Sequence, residues 1–140
     1  MITEILFLFV LIGVNAFFAA SEIALISLND NKIKLMAEEG NKKAKQLIKL
    51  LGEPSKFLAT IQIGITLAGF LASAFAAESF ADPLVNLLKG YNVPISESFL
   101  RVAIVIVITI ILSYFTLVLG ELVPKRIAMK KSEGIAFLVV

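Results

Sequence analysis

Three apolar stretches, each long enough to cross a lipid bilayer, limit the folds that this chain can adopt. They cover residues 5–28, 57–77 and 102–119, and we expect the third helix to continue to about residue 123. A helix needs about 20 apolar residues to cross the hydrocarbon layer. Hydrophobic residues make up 59% of the sequence, whereas roughly 45 to 50% is usual for a soluble domain. The sequence therefore predicts an all-α membrane protein with three transmembrane helices.

The first stretch has none of the flanking features of a cleaved signal peptide. Residues 1–4 carry no lysine or arginine, and no small-residue cleavage site follows the stretch. We therefore expect residues 5–28 to remain as a transmembrane helix in the mature protein. A further apolar run begins at residue 135 and reaches residue 140, and we expect it to belong to a longer protein.

Positive charges flank the three stretches unevenly. The segment before the first stretch has none, and residues 78–101 contain only Lys89 and Arg101. The other positive charges lie between the first two stretches, at Lys32, Lys34, Lys42, Lys43, Lys45, Lys49 and Lys56, and after the third, at Lys125, Arg126, Lys130 and Lys131. The positive-inside rule then places the N-terminus outside and the C-terminus in the cytoplasm. We expect the membrane to be the plasma (cell inner) membrane.

Two short helices are predicted between the first two stretches, over residues 30–52. Asp30 is expected to cap the first, which Gly40 ends, and Asn41 to cap the second, which Gly52 ends. They form a cytoplasmic hairpin. In the second helix, apolar side chains recur at helical spacing opposite the lysines, at Ala44, Leu47, Ile48 and Leu51. This pattern favours packing against another part of the protein, with the membrane surface as the alternative.

The segment between the second and third stretches reads differently. Asp82-Pro83 and Lys89-Gly90-Tyr91 are typical of turns, so residues 78–98 are predicted to form an outer turn region with one short helix.

Composition excludes several classes of protein. The net charge is only +2, without the concentrated basic face of a protein that binds nucleic acid. The chain has no cysteine and no histidine, which removes thiolate nucleophiles, histidine bases and the usual zinc sites. Without a nucleophile and base pair, an enzyme is the least favoured class.

Two acids, Glu22 and Glu121, lie within or at the ends of the apolar stretches, where an ionisable group at a helix centre costs about 2.5 to 3.5 kcal/mol. At 100° per residue, each stretch also carries one polar stripe. The stripes comprise Asn15, Ala19 and Glu22; Gln62, Thr66, Gly69 and Ser73; and Thr109, Ser113, Thr116 and Gly120. Lipid cannot satisfy hydrogen bonds, so the stripes are expected to face one another or a partner subunit. Whether the hydroxyls and small residues bind an ion or only hold the helices together stays open.

The strongest local feature is Gly120-Glu121-Leu122-Val123-Pro124-Lys125. Pro124 has no N–H, so a helix that continues through it leaves the Gly120 carbonyl without its usual donor. A free carbonyl beside a carboxylate suits a hard cation such as Mg²⁺ or Ca²⁺. The candidate ligands are Glu121, Gly120, Asn15, Glu22, Ser21, Thr66, Gln62 and Ser73, with Pro124, Lys125 and Gly69 in structural roles. In the alternative, Lys125 or Arg126 pairs with Glu121 and Pro124 ends the helix.

Over nearly all of its length, the chain resembles the transmembrane domain of the CorC/CNNM family of magnesium transport proteins, also called hemolysin-like. The resemblance lies in the segments 15–25, 62–69 and 120–125, which read NAFFAASEIAL, QIGITLAG and GELVPK. It implies a homodimer with three spans per protomer, a bound cation open to the cytoplasm, and a juxtamembrane helical belt that begins at residues 132–140. Full-length relatives continue into a cytosolic pair of CBS modules, which bind adenine nucleotides such as ATP, and often a small C-terminal domain. Neither is part of this sequence.

The resemblance leaves the transported cation open. The branch best linked to Mg²⁺ has serines at the positions of Asn15 and Ala19 and asparagines near Thr66 and Gly69, whereas residues 62–64 resemble a branch that includes polyamine exporters. The first hypothesis is therefore Mg²⁺ efflux, with Na⁺ as a candidate coupling ion. The second is export of a diamine such as putrescine or cadaverine. The third is a membrane scaffold or sensor whose cytosolic modules carry the function.

Overall fold

The computed structural model describes residues 2–92 and 94–140, and these form helices without any strand. Met1 and Val93 lie outside the described residues. The helices are α1 (Ile2–Ile26), α2 (Asp30–Glu38), α3 (Lys42–Leu51), α4 (Pro54–Lys89), α5 (Glu97–Leu117), α6 (Val123–Lys130) and α7 (Ser132–Val139). A π-helical segment, Val118–Leu122, joins α5 to α6. The prediction of an all-α fold is confirmed.

Three of these helical runs are long and apolar enough to cross a membrane: Ile2–Ile26, Pro54–Lys89 and Glu97–Lys130. They expose large apolar side chains on their outer faces, for example Phe9, Phe70 and Ile110. A surface of this kind is stable in contact with lipid and not in water. The chain is therefore a multi-pass membrane protein, as the three apolar stretches predicted.

Helix α4 is longer than the stretch 57–77 suggested, because it continues through Pro83 to Lys89. The turn predicted at Asp82-Pro83 is therefore wrong. A proline inside a helix removes one backbone hydrogen bond, and here packing compensates, since Ala81 and Val85 are buried against Leu100 and Ile104 of α5.

Two ion pairs join the same parts of α4 and α5. Arg101 pairs with Asp82, and Lys89 Nζ lies 2.7 Å from Glu97 Oε2. Helix α5 begins at Glu97 after the Ser96 cap, so the third membrane helix starts earlier than residue 102. The connection between α4 and α5 is consequently much shorter than the predicted outer region.

The hairpin of α2 and α3 has the predicted helices, with one change at a cap. Asn29, and not Asp30, caps α2, and its side chain accepts a hydrogen bond from the Lys32 N–H at 3.3 Å. Asn41 caps α3 as predicted and accepts from the Ala44 N–H at 3.0 Å. Between them Gly40 has a φ of 97°, a conformation that glycine adopts without strain.

The apolar face of α3 packs into the protein, which confirms the packing interpretation. Ala44 and Leu47 are buried in one cluster with Leu25 of α1, Phe57 of α4 and Ala136 of α7. This cluster lies at the end of the bundle where the lysine-rich hairpin is, which we call the hairpin end.

Helix α7 is also tied to the hairpin by two polar contacts. Lys32 Nζ lies 2.7 Å from Glu133 Oε2, and Lys43 Nζ donates to the Phe137 carbonyl at 2.9 Å. The hairpin and α7 therefore form a layer across this end of the membrane helices.

Candidate functional site

The site is built around one buried hydrogen bond between α1 and the π-helical segment. Asn15 Nδ2 donates to the Gly120 carbonyl oxygen at 2.9 Å, and both residues are buried. Asn15 lies near the midpoint of α1, whose 25 residues span about 37 Å at 1.5 Å per residue. The bond therefore holds Gly120, and Glu121 beside it, at about mid-depth of the first membrane helix. This is deeper than the position at the end of the third span that the sequence suggested.

The π-helical segment is the local consequence of Pro124. The helix runs through this proline, so the alternative in which Pro124 ends the helix is wrong. Pro124 has no N–H for the Gly120 carbonyl, and the Val123 N–H donates to the Val118 carbonyl five residues back. That spacing defines a π-helix, which occurs frequently at functional sites.

The Gly120 carbonyl is not free, in contrast to the prediction, because Asn15 donates to it. A carbonyl oxygen can accept two bonds, so one acceptor position is left for another group. Gly120 must be glycine for the contact to form, since an added Cβ would lie 2.9 Å from Asn15 Nδ2.

Glu121 lines a cavity of about 460 Å³ between α4, α5 and the π-helical segment. We call it the Glu121 cavity. Its polar wall consists of Thr66, Gly69, Ser73, Ser113, Thr116 and Glu121, and its apolar wall of Ile65, Phe70 and Leu117. The polar stripes predicted on the second and third membrane helices therefore face each other across one space. No signal in the sequence predicted the apolar wall, because its residues resemble the other apolar residues of the membrane helices.

Two residues show that this cavity is not filled by helix packing. Thr116 Oγ1 is buried and has no hydrogen-bond partner within residues 2–92 and 94–140. At Gly69, an added Cβ would meet nothing within 4 Å. Gly69 therefore widens the cavity, and the helix-packing role predicted for it is not the one that the structure gives. Thr116 and Ser113 had been placed on the polar stripe but not among the candidate ligands.

Of three other predicted ligands, one lines this cavity and two lie outside it. Thr66 Oγ1, in its wall, accepts a hydrogen bond from Gln62 Nε2 at 3.1 Å, whereas Gln62 is exposed and lies outside. The Ser21 hydroxyl donates to the Phe17 carbonyl of its own helix at 2.7 Å and lines a different groove.

The second acid, Glu22, does not join Glu121 in the cavity. Glu22 Oε2 lies 3.8 Å from Lys125 Nζ, with both side chains partly buried. Lys125 therefore pairs with Glu22 and not with Glu121, as it would in the alternative interpretation of the sequence. Within the described ranges, acids are nowhere grouped in threes that could hold a metal. Any cation in the Glu121 cavity would thus meet one carboxylate together with hydroxyl and carbonyl oxygens.

Known proteins resemble this chain over almost all of its length. The family model described as "Cyclin M transmembrane N-terminal domain", abbreviated CNNM, matches residues 6–140. The UPF0053 protein sll0260 of Synechocystis sp. is 38% identical over 95% of this chain and 29% of its own length. The UPF0053 protein YhdP of Bacillus subtilis is 33% identical over 98% of this chain and 30% of its own length. The UPF0053 inner membrane protein YfjD of Escherichia coli is 29% identical over 89% of this chain and 25% of its own length. The chain thus spans less than a third of each of these curated relatives.

Proposed function

The chain belongs to the CNNM family of transmembrane domains, and from this we propose that it moves a divalent cation, Mg²⁺, across the membrane through the Glu121 cavity. The observation that carries the proposal is the position of Glu121. Glu121 lines an open space between the membrane helices, and its neighbour Gly120 is bonded to the midpoint of α1.

A carboxylate at this depth requires a compensating charge. Ionisable groups inside a membrane pair with one another, or mark the path of an ion or proton. The ion pairs among the described residues do not include Glu121, and its nearest basic neighbour in sequence, Lys125, lies beside Glu22. A bound cation would supply the missing positive charge.

The remaining wall of the cavity suits a hard cation. Thr66, Ser73, Ser113 and Thr116 contribute hydroxyl oxygens, and no nitrogen or sulfur ligand is among the lining residues. Oxygen-only sites favour Mg²⁺ and Ca²⁺, and Mg²⁺ usually keeps several of its waters. A cavity of about 460 Å³ has room for such a partly hydrated ion.

The same geometry disfavours the two alternatives. A diamine exporter was expected to hold its ligand between two carboxylates, but only Glu121 lines the cavity. A scaffold was expected to neutralise both Glu22 and Glu121 with lysines, but of these two acids only Glu22 has a lysine partner among the described residues.

We further propose the orientation and the setting that the lysines and the family imply. The hairpin end would face the cytoplasm, as the positive-inside rule predicts. The membrane would be the plasma membrane, because the name of the relative YfjD specifies an inner membrane protein. We also propose that the protein forms a homodimer and exchanges Mg²⁺ against Na⁺. ATP would control it through a CBS pair outside these residues.

The test is Mg²⁺ flux into vesicles that contain the protein and a fluorescent indicator, with Na⁺ on the opposite side. Glu121→Gln should lower the flux by about 30-fold or more, because removing one member of a buried charge pair costs about 2 kcal/mol or more. Glu22→Gln is the matched control, since it removes the other acid of the three apolar stretches but leaves the lining of the cavity unchanged. Equal flux in the wild type and Glu121→Gln, or an equal loss in both variants, would contradict the proposal.

A further inference from the structure

A second groove, of about 450 Å³, lies between α1, α3 and the first turns of α4, and Val139 of α7 also lines it. It shares no residue with the Glu121 cavity, and the proposed transport does not use it. We call it the lysine groove.

The floor of the lysine groove is aromatic and aliphatic. It includes Phe17, Phe18 and Leu25 of α1 with Phe57 and Ile61 of α4. These residues belong to helices that cross the membrane, and Phe17 is 52% exposed. Phe17 lies nine residues before the end of α1 at Ile26, or about 13 Å along the helix. The groove therefore runs from the membrane surface into the hydrocarbon region.

The rim of the groove, at the hairpin end, is charged. Lys49 of α3 and Lys56 of α4 both line it and are exposed. Glu53 is on the same rim, with Oε2 3.8 Å from Lys56 Nζ, so the three side chains together carry one net positive charge. Gln46 and Thr60 add polar groups beside them.

We propose that the lysine groove binds one anionic phospholipid from the leaflet at the hairpin end. The phosphate would lie between Lys49 and Lys56, and an acyl chain would cover Phe17 and Phe57. Basic pockets between membrane helices recognise acidic lipid headgroups in this way. The apolar floor selects a lipid over a free phosphate, because a soluble anion would leave the exposed ring of Phe17 uncovered.

The charge pattern also argues for lipid over protein in the groove. Lysine at this depth extends its ammonium to the headgroup layer while its alkyl stem covers apolar surface. A protein segment in the same place would have to bury or pair both ammonium groups. A lipid phosphate meets them at the surface, where water still reaches them.

The experiment uses a single tryptophan, because the sequence contains none. The full chain with Phe17→Trp is placed in vesicles of phosphatidylglycerol and phosphatidylcholine in equal amounts, with bromine on the acyl chains of one lipid or the other. Bromine quenches tryptophan only at short range. We expect phosphatidylglycerol to quench the Phe17→Trp reporter several-fold more strongly than phosphatidylcholine. The reference reporter is Phe99→Trp, at the opposite end of the bundle and 62% exposed, where both lipids should quench alike.

Charge variants then identify the groove as the cause of the preference. Lys49→Gln with Lys56→Gln should abolish the several-fold preference, because each lysine near an anionic headgroup contributes about 5-fold. Lys34→Gln with Lys42→Gln changes the net charge equally outside the groove and should leave the preference unchanged.

Three results would overturn the proposal. The first is equal quenching of Phe17→Trp by the two lipids. The second is an equal loss of the phosphatidylglycerol preference in the Lys34→Gln and Lys42→Gln control. The third is a Phe17→Trp reporter that neither lipid quenches. The last would show that a second copy of the chain, or the chain after residue 140, covers the groove.

Discussion

The Glu121 cavity and the lysine groove are nearly equal in size, about 460 and 450 Å³, and both use α4 as a wall, yet their charges are opposite. The cavity has one carboxylate near mid-depth, and the groove has two lysines at the hairpin end. A lysine at the interface stays solvated, whereas a carboxylate at mid-depth needs a bound partner. Depth in the membrane, more than volume, therefore separates the proposed ion site from the proposed lipid site.

Each of the two spaces depends on one glycine that allows close contact with α1. Gly120 admits the Asn15 amide beside the Glu121 cavity, and Gly64 admits the Phe18 ring beside the lysine groove, where an added Cβ would lie 2.6 Å from the ring. Substitutions at these glycines therefore disturb one space at a time.

The largest effect is expected for Gly120→Ala. The added methyl would displace Asn15, so both an overpacking cost of about 1 to 3 kcal/mol and the loss of a buried hydrogen bond apply. We expect the free energy of unfolding to fall by about 2 to 4 kcal/mol and Mg²⁺ binding to weaken. Denaturant unfolding in detergent measures the first and calorimetry the second.

Gly69→Ala is the matched control, because its methyl would enter the open space of the cavity. Its free energy of unfolding should be unchanged or up to about 1 kcal/mol higher, because alanine has a higher helix propensity than glycine. If both variants unfold alike, the close contact between Asn15 and Gly120 is not what supports the cavity.

Gly64→Ala should affect the other space. The Phe18 ring, which lines the lysine groove, must move to make room for the methyl. We expect a loss of about 1 to 3 kcal/mol in unfolding free energy without a change in the affinity for Mg²⁺. The double variant with Phe18→Leu should recover part of the loss, because the smaller side chain makes room for the methyl. Lower Mg²⁺ affinity in Gly64→Ala would show that the two spaces are coupled.

Thr116→Val tests the polar wall of the cavity without changing the shape of the side chain. We expect Mg²⁺ affinity to fall by about 5- to 10-fold, the value of one hydrogen bond or ligand contact. Stability should be unchanged or higher, because the buried hydroxyl lacks a partner among the residues that the structure describes. Thr109→Val, on the same helix but outside the cavity lining, should leave the affinity unchanged. A stability loss without an affinity change at Thr116 would favour a packing role.

The smallest effect is expected for the pair of Glu22 and Lys125. A double-mutant cycle with Glu22→Gln and Lys125→Gln should give a coupling energy of about 0.3 to 1 kcal/mol in thermal unfolding, as for other partly solvated pairs. Mg²⁺ affinity should stay at the wild-type value in all three variants. Weaker Mg²⁺ binding in Glu22→Gln alone would show that Glu22 contributes to the ion site.

Hydropathy and helix signals in the sequence predicted much of the fold. The three membrane helices follow from apolar length, and the Asn41 cap of α3 follows from local chemistry. The continuation of α4 through Pro83 did not follow, because the packing of Ala81 and Val85 on α5 outweighs a local turn signal. Long-range packing of this kind is invisible in a short window of sequence.

The candidate site was predicted only in part, for a related reason. Polar stripes indicate which face of each helix is polar, but not which faces meet. Thus Thr66, Ser73 and Glu121 were brought together as candidate ligands and do line one cavity. Asn15 is a predicted ligand, and in the structure its amide nitrogen donates to the Gly120 carbonyl. Glu22 pairs with Lys125, which the alternative interpretation paired with Glu121.

Calorimetric titration of Mg²⁺ into the purified protein tests the central claim most directly. The wild type and Glu22→Gln should show saturable binding with similar affinity, and Glu121→Gln should show none. Undiminished binding in Glu121→Gln, or equal loss in both variants, would contradict the assignment of the ion site to the Glu121 cavity.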